Sequence, residues 1–198
     1  IEDINFAKKL GYKIKLISES SIVDNQIYNS TSPKLVSFTN PLSNVDNALN
    51  AINIQTDHLN NLFLEGEGAG GMPTASSVLS DLYEIAQNDT FENLGFNSRD
   101  LKDYKKYNSH YIFNSYYIRI MSDDKPGVLS SITNYFTESD ISVEKILQLP
   151  DNNKMNSPIP IIITTHKIKK ETLSNVINQL EKLQFVKEQI TVLPIHDN

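Results

Sequence analysis

The sequence predicts an α+β fold divided into two domains, on three observations. Its 198 residues are enough for two small cores. From Tyr116 onward the chain runs strand, helix, strand, strand, helix, strand, a βαββαβ order of the ferredoxin-like kind. Before that segment, a glycine-rich run separates strand-like stretches from one strongly periodic helix.

Taken in order, Ile4, Ala7 and Leu10 give the opening residues an apolar helical face, and Gly11 stops it. The sequence starts inside this element and without Met, so it is expected to be a piece of a longer chain. Tyr12 to Ile17 alternates as a strand, and Tyr28 to Phe38 is a second extended stretch interrupted by Pro33. Pro41-Leu42-Ser43 starts a short turn or helix, and Ala51–Ile54 and Leu62–Leu64 read as two strands around a polar turn. After the glycine run, Pro73 suits a first helical turn, where its missing N–H is not needed. Ala75, Val78, Leu79, Leu82, Ile85 and Ala86 then recur at helical spacing. Residues 88–114 hold no sustained period and read as a linker with a helical turn near Leu101–Tyr107.

In the last segment, Tyr116–Met121 is a strand, and Asp123-Asp124-Lys125-Pro126-Gly127 is a turn offering an Asp N-cap. Val128, Leu129, Ile132 and Phe136 mark a helix, and Val143–Leu149 and Ile159–Thr164 are strands. Leu173, Val176, Ile177, Leu180 and Leu183 mark the next helix, and Ile190–Leu193 closes the pattern. The unbroken apolar run Ile159–Ile163 suits a central strand. The expected division is 1–90, a linker over 91–113, and 114–198.

Composition excludes several function classes. Apolar residues are 39% and charged residues 21% of the chain, an ordinary globular balance. No apolar run approaches the ~20 residues that span a bilayer, so a membrane role is not expected. The formal charge of −6, with no basic stripe against it, argues against nucleic acid as a partner. With no cysteine there is no disulfide, thiolate metal site or cysteine nucleophile. His58, His110, His166 and His196 are scattered and never at i,i+4 spacing, so no metal site is expected. A cytoplasmic location fits this composition.

Gly66-x-Gly68-x-x-Gly71 formally matches the dinucleotide-binding fingerprint. A complete unit needs a second strand after the helix, and the stretch from Asp89 to Asn93 is loop-like, so an autonomous Rossmann fold is not expected. The local physics has two readings. A glycine-rich turn ahead of a helix presents unhindered N–H groups and the positive end of the dipole to an anion. Equally, it is a tight turn that packs a helix. No independent catalytic set stands out: Ser76 and Ser77 have no histidine nearby, and Asp81 and Glu84 suit an exposed helix face.

The run Gly66 to Leu82, with its Gly-Ala-Gly-Gly-Met-Pro-Thr-Ala-Ser-Ser core, resembles the glycine-rich signature near the end of homoserine dehydrogenase catalytic domains. Leu10–Leu16 and Asn40–Asp46 resemble two further blocks of that family in the same order. Residues from about 114 to 196 resemble an ACT domain, on Asp123–Leu129, Ser142–Gln148 and Pro160–His166. The resemblance implies the C-terminal part of a homoserine dehydrogenase catalytic domain followed by an ACT regulatory domain. That family reduces L-aspartate 4-semialdehyde to L-homoserine with NAD(P), towards threonine, methionine and isoleucine. Gly70 would match the glycine whose backbone lies against the cofactor, with Gly68 and Ala69 beside it. Glu67 departs from what suits a phosphate unless its carboxylate points to solvent.

The same resemblance implies that the proton-transferring lysine and substrate carboxylates lie upstream of Ile1. No residue here is therefore assigned to catalysis, and this chain alone is expected to be inactive. Lys13 and Lys15 read as solvated strand positions instead. In the ACT-like part, Asp124 and Gly127 are the candidate effector site, with Asp123 or Asp124 for an ammonium group. An amino acid is the expected effector, threonine first, and sheet-edge pairing is expected to make a homodimer or higher oligomer. The rival reading is a free-standing ACT-type amino-acid-binding regulator.

Overall fold

The computed structural model describes residues 2–58, 60–87, 99, 101–148 and 158–196. The chain divides into two compact units, one made of 1–38 with 105–198, the other of 39–104.

In the first unit α1 (Glu2–Lys9) leads through Gly11, at φ +89°, into a hairpin of β1 (Tyr12–Val23) and β2 (Gln26–Ser37). The turn uses Asp24 and Asn25 at φ 49° and 56°, side chains that tolerate the left-handed region. Both strands are longer than the sequence pattern predicts, because the polar Ser18–Ser21 stretch keeps its ladder with Tyr28–Thr31. Pro33 is accommodated opposite Leu16, since the last strand, β9 (Thr191–His196), meets β2 only at Leu35 and Val36.

The βαββαβ unit follows the expected plan. It comprises β5 (Phe113–Ser122), α3 (Val128–Glu138), β6 (Val143–Gln148), β7 (Ile159–Thr165), α4 (Lys170–Leu180) and β9 (Thr191–His196). A two-residue strand β8 (Ile168–Lys169) adds to β5. The sheet order is β1-β2-β9-β5-β7-β6, so β7 is central, as its apolar run predicts. Alternate residues of β5 serve two cores. Tyr116, Ile118 and Ile120 pack with Ile132 and Phe136 of α3, with Val176 and Leu180 of α4, and with Ile161 and Ile163 of β7. Tyr117 on the opposite face packs with Ala7 of α1, Leu35, Ile162 and Ile195, flanked by Phe6, Leu10 and Ile14. A four-stranded sheet of this kind buries one face with its own helices; here α1 covers the other.

Three local expectations are corrected. The turn near Leu101–Tyr107 is not helical. Lys106 instead bridges parallel to Ile27, whose N–H donates to the Lys105 carbonyl and whose carbonyl accepts from Tyr107, so the segment is extended. A 3-10 turn follows at Ser109–Tyr111, with Asn108 as its N-cap. No aspartate caps α3: its N-cap is Gly127, left-handed at φ +89° and without a side-chain cap. Lys13 and Lys15 are half-buried rather than solvated, opposite Val36 and Lys34. Leu149 and the residues 88–98 of the expected linker lie outside the described residues.

The second unit holds a 3-10 turn at Pro41–Asn44, an antiparallel pair β3 (Leu49–Ile54) and β4 (Leu62–Glu67), and α2 (Gly71–Ala86). The Asn40 side chain caps the 3-10 turn by accepting the Leu42 N–H at 2.9 Å. The apolar stripe of α2 is present as predicted, yet Met72, Val78, Leu79, Leu82, Tyr83 and Ile85 are between 51% and 83% exposed. No residue of α2 is buried. This helix is amphipathic, and among the described residues of its own unit nothing buries its apolar stripe.

Candidate functional site

The glycine turn joins β4 to α2. Gly68 donates its N–H to the Ala48 carbonyl at 3.0 Å, and a Cβ there would displace the exposed Asn50 side chain. Gly70 is the N-cap of α2 at φ +126°, ψ 154°, a conformation essentially closed to L residues. Its carbonyl accepts from the Thr74 N–H at 3.2 Å and from Thr74 Oγ1 at 2.7 Å. A Cβ on Gly71 would meet nothing within 4 Å, so the approach to the first turn of α2 is open. Ala69 and Gly70 are exposed between these anchors. Glu67 is exposed at the end of β4. Backbone N–H groups at an uncovered helix N-terminus fit an anionic or amide group of a nucleotide. Among the described residues β4 pairs only with β3, antiparallel, which is not the parallel ladder of a Rossmann unit.

The second candidate lies at the end of β5. Asp123 receives Lys125 Nζ at 3.1 Å and Lys187 Nζ at 3.3 Å, while its N–H donates to the Phe185 carbonyl at 3.0 Å. Lys125 first, then Lys187, holds its carboxyl below the usual aspartate value. The carboxylate expected to be available for an ammonium group is thus already engaged by two lysines. Asp124 and Gly127 are exposed in the same turn. Gly127 adopts φ +89° with nothing within 4 Å of a built Cβ, so conformation and not space selects glycine there.

A third cluster was not anticipated from the sequence. Tyr117 donates its hydroxyl to Asp3 Oδ1 at 2.8 Å, and Arg119 Nε donates to the same oxygen at 2.7 Å. Arg119 Nη2 reaches Asp3 Oδ2 at 3.3 Å and Thr191 Oγ1 at 2.9 Å. Burial, then the Asp3 carboxylate, pushes the Tyr117 hydroxyl far up, and the hydrogen bond to Asp3 raises Arg119 further. The available signal was one arginine between Tyr117 and Met121 on a single strand face, a charge that needs a partner wherever that face is covered. Among the described residues no group of three acidic or histidine side chains could hold a metal ion, and no helix is long and apolar enough to cross a membrane.

A four-stranded sheet with two helices on one face, in a chain that also carries a glycine turn at a helix N-terminus, defines a class by fold: a ferredoxin-like βαββαβ domain with a second α+β segment. Comparison with known proteins supports and sharpens that class. The homoserine dehydrogenase family matches residues 1–83 and the ACT domain family matches residues 116–185. The homoserine dehydrogenase of Bacillus subtilis is 35% identical over 100% of this chain and 46% of its own length. That of Helicobacter pylori is 34% identical over 93% of this chain and 43% of its own length. The crystal structure of a homoserine dehydrogenase from Thiobacillus denitrificans superposes with a TM-score of 0.83 at 28% identity, covering 99% of this chain and 45% of that one. The chain therefore belongs with the homoserine dehydrogenases, as the C-terminal portion of such an enzyme with its ACT domain. It spans a little under half the length of the relatives it matches.

Proposed function

We propose that the chain serves a homoserine dehydrogenase that interconverts L-aspartate 4-semialdehyde and L-homoserine with NAD(P) in the cytoplasm. Its parts are residues 1–90 of the catalytic domain, a linker over 91–113, and an ACT domain over 114–198. The observation that carries the enzymatic half is Gly70 at φ +126°, at the head of a 16-residue helix with an open first turn. The nicotinamide cofactor supplies the hydride. Here Gly70, Ala69 and Gly68 contribute backbone that a flat or phosphorylated group can approach closely, while Glu67 stands exposed to solvent. The exposed apolar stripe of α2 suits a helix that packs against other parts of such an enzyme.

The ACT domain is read as an amino-acid sensor, with threonine as the first candidate. It also supplies an assembly surface. One edge of its four strands, β9, is taken by β2, which among the described residues leaves β6 as the edge open to pairing. A homodimer joined at β6 follows from that asymmetry.

The test is an NADPH- or NADH-oxidation assay with aspartate semialdehyde. The parent protein, carrying this chain with the upstream cofactor domain, is expected to turn over, and the 198-residue polypeptide alone is not. Turnover by the isolated polypeptide would overturn the division of labour, and an inert but folded parent would overturn the activity.

A further inference from the structure

A contiguous set of polar contacts runs from the turn after β5 to α1, at the opposite side of the sheet from α3 and α4. Asp123 holds Lys187 Nζ at 3.3 Å, and the Lys187 N–H donates to the Met121 carbonyl at 2.8 Å. The neighbouring Glu188 lies 3.8 Å from Arg119 Nη1. Arg119 in turn grips Asp3 of α1 through Nε at 2.7 Å and Nη2 at 3.3 Å. Five side chains and one short loop thus join the turn to the helix that caps Tyr117 and Ile162.

We propose that Arg119 couples the Asp123–Gly127 turn to α1. Arg119 is a positioning residue in this role, acting through Asp3. Its planar guanidinium can face two carboxylates at once, which a lysine's single ammonium cannot do with fixed geometry. The Asp3 contact is a fork on a largely buried arginine, 14% exposed, and is the firm end. The Glu188 contact, on a side chain 58% exposed, is the soft end that a shift of the loop can make or break. A zwitterionic amino acid at the turn competes for the same charges: its carboxylate for Lys125 and Lys187, its ammonium for Asp123 and Asp124. Drawing Lys187 towards a ligand moves Glu188, alters the charge facing Arg119, and changes how tightly α1 is seated. Because α1 opens the homoserine dehydrogenase portion, this places effector occupancy in physical contact with the catalytic domain. The use as an effector relay rests on the proposed sensing role; the mechanical coupling does not. Such coupling is reciprocal, so the seating of α1 also sets the affinity of the turn.

The coupling is tested without any ligand by a double-mutant cycle on Asp3→Asn and Lys187→Met, residues that make no contact with each other. Urea unfolding of the 198-residue chain is measured in 0.5 M salt, which screens direct attraction between distant charges. The expected result is an unfolding constant for the double variant that departs from the product of the single effects by about threefold or more. That departure should vanish in a Glu188→Gln background, where the loop is intact but the carboxylate charge facing Arg119 is gone. Additive single effects would overturn the coupling, as would a departure that persists with Glu188→Gln. In the parent enzyme, Arg119→Lys and Glu188→Gln should still bind threonine saturably by calorimetry, with Kd moved by less than about threefold, while threonine loses about tenfold or more of its effect on activity. Binding and inhibition that fall together would overturn the relay. A parent enzyme that binds no threonine, with the cycle still non-additive, removes the sensing role for threonine and leaves the coupling standing.

Discussion

Lys34 is a buried cation whose partner is Glu19 on the neighbouring strand of the β1–β2 hairpin. Its side chain is 3% exposed against 27% for Glu19, and Ser30 also donates to the Glu19 carboxylate at 2.9 Å. Burial by itself raises the Glu19 carboxyl, but the Lys34 ammonium and the Ser30 hydroxyl outweigh it and hold the group below its usual value. A depressed folded-state value means the pair stabilises the fold above the carboxyl's unfolded range. That contribution is lost as pH falls through the folded value. Glu19→Gln leaves Lys34 buried without its charge partner. Removing one partner of a fully buried pair costs about 3–5 kcal/mol, and partial exposure of Glu19 reduces this to about 2 kcal/mol. Urea melts at pH 7 and pH 3.5 check it: the gap between native and variant should be large at pH 7 and shrink at pH 3.5. An equal gap at both values would assign the loss to packing instead.

Phe136 tests whether α3 is clamped to the sheet as the buried cluster implies. It is 1% exposed and packs in the cluster with Ile118, Ile120 and Ile132. Phe136→Ala should destabilise the chain by about 3–5 kcal/mol through lost transfer energy and the cavity left behind. Leu79 on α2 is as apolar but 66% exposed, so Leu79→Ala in the same chain should change stability by less than about 0.5 kcal/mol. Similar losses at both sites would mean that α2 is covered in solution.

Much of this architecture is legible in local sequence because periodicity reports which side of an element is apolar. The βαββαβ order, the central place of β7 and the helix after Pro73 follow from that signal alone. What the sequence hides is partnership between distant residues. Arg119 and Asp3 are 116 positions apart, and no period connects them. Lys34 lies in an extended stretch where nothing nearby announces the carboxylate four rungs along the partner strand. Covering of the second sheet face by α1 is equally non-local, as is the capture of the β9 edge by β2. The Asp N-cap failed for a local reason: Gly127 reaches the left-handed region and takes the cap position with backbone alone. Both glycine turns were legible as turns, and their ligands were not, because φ constrains the glycine whether or not anything binds.

Gly70 and Gly71 separate those two roles. Gly70 needs its φ of +126°, so Gly70→Val strains the turn by about 1–3 kcal/mol and confounds folding with binding. Gly71 has open space at its Cβ and lies in the helix, so Gly71→Ala should leave thermal stability unchanged or slightly raised. If the cofactor approaches this turn, the added methyl should raise the NAD(P) KM of the parent enzyme several-fold with kcat less affected. Gly70→Val should lower activity as well as Tm. Unchanged kinetics in Gly71→Ala would leave the turn with a structural role only.

The effector turn makes the sharpest division between neighbouring residues. Asp123 is held by Lys125 and Lys187 and by its own N–H to Phe185, so it organises the turn. Asp124 is exposed beside it, and in the proposed site its carboxylate would meet an incoming ammonium group. Gly127 sits at φ +89° in open space, so Gly127→Ala costs about 1–2 kcal/mol in backbone strain without a clash. The expected outcome of calorimetry with threonine is saturable heat for the native chain. Binding should weaken about tenfold or more for Asp124→Ala with Tm unchanged, since an exposed side chain is removed from no packed contact. Asp123→Ala should instead lower Tm, because two lysines are left facing each other, and should weaken binding only as the turn loosens. Gly127→Val adds a branched side chain in front of the first N–H groups of α3 and should abolish the heat. Equal threonine binding by the native chain, Asp124→Ala and Gly127→Val would remove this turn as the site.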